Sequence, residues 1–131
     1  MTHSSATETA RPVAQQVLRV VATASVVMII LQGVTAGEIL TRSRIAETLH
    51  FGGAFVVHLL TGLTALFAYL VARRQRTPWW PCVVAVVVFA VGFAQAAFGE
   101  AGVLAVHVPL AMLLLVGSVL VMGWSYARPR H

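Results

Sequence analysis

Lysine and aspartate are absent from this chain, and its only acidic residues are Glu8, Glu38, Glu47 and Glu100. Charged residues fill 10% of its 131 positions, against about a quarter in an ordinary soluble domain. A water-facing surface of normal polarity is therefore excluded. A single cysteine, Cys82, excludes an internal disulfide and any CxxC metal or redox motif. The formal charge of +5 comes from nine arginines, which form no stripe with interleaved aromatics that could follow a nucleic-acid backbone. They stand at the ends of apolar runs, where arginine anchors helices to lipid headgroups. The basicity reports membrane topology, and no nucleic-acid partner is expected.

What the chain has in quantity is apolar sequence, 59% of its residues. Four runs stand out, at about 17–40, 45–72, 79–98 and 102–126. Each has roughly 20 residues or more, enough to cross a hydrocarbon core of about 30 Å at about 1.5 Å per residue. Lipid offers no partner to a free backbone polar group, so such runs are helical. The connections Thr41 to Arg44, Arg73 to Pro78 and Gly99 to Ala101 are short, which makes successive helices antiparallel neighbours. The expected fold is all-α: an integral membrane up-down-up-down four-helix bundle over 17–126, with the lipid bilayer as its surroundings. Residues 1–16 read as a disordered cytoplasmic tail and 127–131 as a short cytoplasmic one. The first run exceeds the apolar length of a signal peptide and precedes no small-x-small cleavage site, so it reads as an uncleaved span.

Arg11, Arg19, Arg73, Arg74, Arg76, Arg128 and Arg130 fall on one side of these spans, and Arg42 and Arg44 on the other. The positive-inside rule then places both termini and the middle loop in the cytoplasm of a cell with this protein in its inner or plasma membrane. Trp79, Trp80, Trp124 and Tyr126 mark the same interface as an aromatic belt.

Polar residues at membrane depth are costly and usually have a partner or a task. Here they are Gln32, His50, His58, Gln95 and His107. His50 and His107 each lie about five residues, or roughly 8 Å, inward from the outer ends of the second and fourth spans. Those spans run in the same direction and are diagonal partners in a bundle. Two imidazoles at one depth across a bundle core suit axial ligation of a haem iron. Gly52 and Gly53 follow His50 and would let a flat macrocycle approach the backbone, with Ala54 and Val57 as an apolar wall. Pro109 stands where it would kink the fourth span and aim His107. His58 is about 12 Å deeper than His50 and about 80° around the helix. It cannot oppose His107 on the same iron, and it bonds a backbone carbonyl, Thr61 or Thr64, or marks a second site. The chain also carries a short internal repeat. Gln32, then Gly37-Glu38, then His50 is echoed by Gln95, then Gly99-Glu100, then His107.

Glu47-Thr48-Leu49-His50 at the start of an apolar, glycine-containing helix resembles the Glu-x-x-His motif of the haem A synthases. Gln95 to Met112, with Gly99 and Leu104-Ala105-Val106-His107, resembles the Gln…Gly…Leu-His pattern of their paired helices. Those enzymes consist of two homologous four-helix halves, each with its histidine pair on the second and fourth helices. About Gln32 to Leu115 resembles one such half, as do several short four-helix membrane families. The resemblance implies haem ligation by His50 and His107, with Glu47 as an acidic, catalytic residue beside the haem. The chain departs from the pattern in its short first outer loop and in lacking an outer-loop cysteine pair.

Each of these residues also has a plainer role. Glu47 is a carboxylate at a helix N-terminus, favoured by the macrodipole. Arg42 and Arg44 bind haem propionates or simply anchor the outer leaflet. Gln32 and Gln95 contact the cofactor or act as interhelical hydrogen-bonding groups. Two functions follow. One is a b-type haem protein (haem b or a modified haem) in electron transfer or haem-dependent oxidation, with a quinone or redox protein as partner. The other is a haem-free accessory or scaffold subunit of a larger membrane complex. A small transporter is disfavoured, because all four Glu lie at span ends or in the tail. A homodimer or larger assembly is expected, with Ala22/Ser25 and Gly62/Ala65 as small-residue packing sets.

Overall fold

In the computed structural model, which describes residues 13–127, four helices follow one another: α1 (Val13–Ile39), α2 (Arg44–Gln75), α3 (Trp80–Glu100) and α4 (Leu104–Tyr126). The shortest, α3, has 21 residues, or about 31 Å of helix at about 1.5 Å per residue. All four are long and apolar enough to cross a membrane. The protein is a multi-pass four-helix bundle. Helix α1 packs on α2 and α4, and α3 packs on the same two, which leaves α2 and α4 on a diagonal. Much of the tail reading, residues 1–12 and 128–131, lies outside the described residues.

The helices begin and end where capping chemistry allows. Ser43 caps α2, its hydroxyl accepting from the Ala46 amide at 3.3 Å, and Glu47 sits in the first turn. At the other end Arg73 and Arg74 extend α2 past the apolar run, favoured there by the negative end of the macrodipole. Helix α3 likewise runs two residues beyond the expected end and closes in a Schellman turn. Val103 N–H donates to Phe98 O at 2.8 Å and Gly102 N–H to Gly99 O at 3.0 Å. Gly102 holds the left-handed conformation this needs, with φ 73°.

Helix α1 starts a turn earlier than hydropathy alone suggests, and the reason is tertiary. The backbone carbonyl of Ser125, in the last turn of α4, is among those left without an N–H donor in their own helix. Gln15 Nε2 and Arg19 Nε donate to that carbonyl at 2.6 and 2.7 Å. The Arg19 guanidinium also lies 5.0 Å from the Tyr126 ring centre. Trp80 and Trp124 meet edge-on at 6.3 Å, so the aromatic residues gather at this end as expected.

Packing is uneven along the bundle. Leu18, Ala65, Ala68, Val71, Ala72, Cys82, Ala85 and Val121 form the core cluster. Apart from Ala46, the buried residues all lie between mid-depth and the end where α1 begins and α4 finishes. The opposite half, which holds His50 and His107, is only partly buried. One expectation is corrected here. Ala22, Ser25 and Ala65 are buried inside the bundle, and Gly62 faces Phe89, where an added Cβ would meet the ring at 3.1 Å. These small residues bring helices of one chain together and are not a surface for a second copy.

Candidate functional site

His50 is the seventh residue of α2 and His107 the fourth of α4. Counted from their helix starts they differ by about 4.5 Å in depth, and both stand in the loosely packed half. Their ring centres stand 6.4 Å apart across the diagonal, in an edge-type arrangement with planes at 60°. Both are half-buried.

Each imidazole is oriented by the helix preceding its own. His50 Nδ1 lies 3.2 Å from Gln32 O and 3.0 Å from Thr35 Oγ1. His107 Nδ1 lies 2.8 Å from Gln95 O. A carbonyl oxygen can only accept, so each ring carries a proton on Nδ1, and the tautomer that fits has its lone pair on Nε2. The short repeat thus has a physical counterpart: a glutamine backbone carbonyl on α1 or α3 fixes the histidine of α2 or α4. That role belongs to the main chain, and the pattern of side chains did not reveal it. Thr35, the further partner of His50, was not singled out by the sequence either.

The glutamine side chains fill the space around the rings. The Gln95 carboxamide nitrogen stands almost equally far from both ring nitrogens of His107, 3.1 Å from Nδ1 and 3.2 Å from Nε2, and with the proton on Nδ1 only Nε2 can accept from it. An added Cβ at Gly53 would collide with the Gln32 carboxamide nitrogen, and one at Gly99 would meet His107 Nδ1 at 2.5 Å. Gly53 therefore makes room for Gln32, and Gly99 for His107. Gly52 faces open space. Phe51 stands edge-on to His50 at 6.5 Å.

The remaining residues expected at the site lie apart from this pair. Glu47 is exposed one turn before His50. Arg42 is exposed in the α1–α2 turn with φ 62°, and Arg44 is exposed at the start of α2. His58 lies deeper. Its Nδ1 is 2.8 Å from Ala54 O, its ring centre is 4.4 Å from that of Phe93, and its Nε2 is buried without a partner. Of the bonding choices open to it, His58 takes the backbone carbonyl of its own helix.

Imidazole–metal bonds of about 2.0–2.1 Å on opposite sides of one ion set ring centres roughly 6–6.5 Å apart. The observed separation fits that span. Both Nδ1 atoms are engaged by carbonyls, the arrangement by which an outer-shell acceptor orients a ligating histidine. Among the described residues no three His, Cys, Asp or Glu gather as a metal cage. A haem iron needs only two protein ligands, and a pair suffices for it. For a metal to reach His107 Nε2, the Gln95 carboxamide must swing aside.

No family model, curated protein or solved structure matches the chain. The site is read on its own residues.

Proposed function

We propose that the chain is a b-type haem protein of the membrane, with His50 and His107 as axial ligands near the outer face. The observation that carries this is the pair of imidazoles from diagonal helices, spaced for one ion, each with Nδ1 on a carbonyl and a lone pair on Nε2. The bound group, haem b or a modified haem, would supply a one-electron couple in low-dielectric surroundings. With both axial positions filled no open coordination site remains, so electron transfer to a quinone or redox protein is favoured over haem-dependent oxidation. Gln32, Gln95, Gly53 and Thr35 set the ring positions. Arg42 and Arg44 are available at the outer surface for propionates. The test is a reduced-minus-oxidised spectrum of protein purified with haem supplied. A split α/β and Soret difference spectrum is expected. A colourless protein after supplementation removes the proposal.

One observation favours the haem-free accessory subunit. The Gln95 carboxamide already satisfies His107 Nε2 within the bundle. That reading predicts a colourless protein that purifies with a stoichiometric membrane partner.

The arginine distribution supports an orientation with α1's start, the α2–α3 loop and α4's end in the cytoplasm. In a Cys82→Ser background, a cysteine at Thr41 should react with an impermeant thiol reagent in whole cells. One at Thr77 should react only after lysis. The reverse pattern would invert the topology and move the histidine pair to the inner leaflet.

A further inference from the structure

The loop from α2 to α3 carries a strained arginine. Arg76 closes α2 in the left-handed conformation, with φ 52° and ψ 36°. Glycine is the usual residue at such a helix end, because a Cβ there crowds the backbone. A long side chain kept in a costly backbone conformation points to a use for that side chain.

Arg73, Arg74 and Arg76 are close in sequence, and all three are exposed. The carboxylates among the described residues are Glu38, Glu47 and Glu100, which all lie at the histidine end of the bundle. The charge of this loop therefore has no acidic partner among the described residues. Its neutral polar groups are withdrawn, with Gln75 Nε2 and Thr77 Oγ1 buried.

Arg73 is held in place. Its Nη1 donates to the Tyr69 hydroxyl, one turn earlier, at 2.9 Å. The Tyr69 ring packs in turn on Trp79, across the loop, with centres 5.9 Å apart and planes at 58°. This aromatic pair is open, since Tyr69 is 37% exposed and Trp79 52%. A guanidinium has five N–H donors, and Tyr69 takes one of Arg73's. The fork that remains matches the paired oxygens of a phosphate. Tyrosine and tryptophan rings suit the level between headgroup and acyl chain. A free phosphate ion would engage the arginines and leave the rings idle, whereas a phospholipid uses both.

We propose that Arg73, Arg76, Tyr69 and Trp79 form a binding site for the headgroup of an anionic phospholipid. The two arginines take the phosphate, and the aromatic pair takes the glycerol and the first acyl carbons. A choline headgroup brings its own positive charge against the arginines, so the site discriminates by charge. It lies at the opposite end from His50 and His107 and depends on no cofactor there.

Trp80→Phe together with Trp124→Phe leaves Trp79 as the sole tryptophan of the full chain. In mixed bilayers of phosphatidylcholine and phosphatidylglycerol, brominated acyl chains on one lipid or the other quench Trp79 according to which lipid sits beside it. Phosphatidylglycerol should be preferred, on the order of fivefold for each arginine engaged. Arg73→Gln should lower the preference by that factor. So should Arg76→Gly, which relieves the left-handed constraint and so keeps the fold. Arg74→Gln removes the same charge from outside the site and should cost less than Arg73→Gln. The absence of a preference, or one that survives both Arg73→Gln and Arg76→Gly, overturns the proposal. Equal losses from Arg73→Gln and Arg74→Gln overturn it too, because only summed charge would then be attracting the lipid.

Discussion

His50→Ala and His107→Ala should each abolish low-spin haem absorbance, while His58→Ala should leave it in place. The His50 and His107 rings are 6.4 Å apart across the α2–α4 diagonal, and His58 lies elsewhere, packed on Phe93 and Gly92. If the proposed haem is bound by this pair, loss of either imidazole would remove one of the two residues that hold the iron, and the low-spin spectrum would go with it. Spectra of the three variants, taken after equal haem supplementation, carry the comparison. Equal spectra in all three would remove His50 and His107 from any axial role. Loss in His58→Ala alone would relocate the cofactor to mid-depth.

The second large effect belongs at the other end. Leu18→Ala should destabilise the bundle by about 2–5 kcal/mol, the range for deleting a buried leucine side chain without collapse of the space left. Leu18 is fully buried and packs in the cluster with Val71, Val121 and Cys82. Urea or thermal unfolding in a mild detergent would measure the loss. Any haem spectrum should keep its wavelengths, because the histidines stand in the opposite half. A Leu18→Ala protein as stable as the parent would mean that the inner core is not what holds the four helices together.

The architecture was legible in the sequence because a bilayer leaves the chain few choices. Apolar length alone located four spans, and the errors were at the ends. Polar contacts such as Gln15 and Arg19 on Ser125 O, or the Schellman turn at Gly102, decide where a helix stops. That His50 and His107 share one half of the bundle was legible too, since helical rise converts position into height. Their orientation was not. It depends on backbone carbonyls of Gln32 and Gln95, and every residue has a carbonyl, so no side-chain pattern marks the ones that matter. The meeting of Ser25 with Thr64 across α1 and α2 was hidden for a related reason. Hydroxyls bonded to their own helices read as apolar filler until the helices are placed side by side.

Tight packing at one extremity and slack at the other has a bearing on biogenesis. The four spans can be inserted and locked together through Leu18, Val71 and Val121 while the histidine end is still yielding. If the proposed haem is bound, it would be received at the half whose residues are only partly buried, where the Gln95 carboxamide beside His107 Nε2 would have to move.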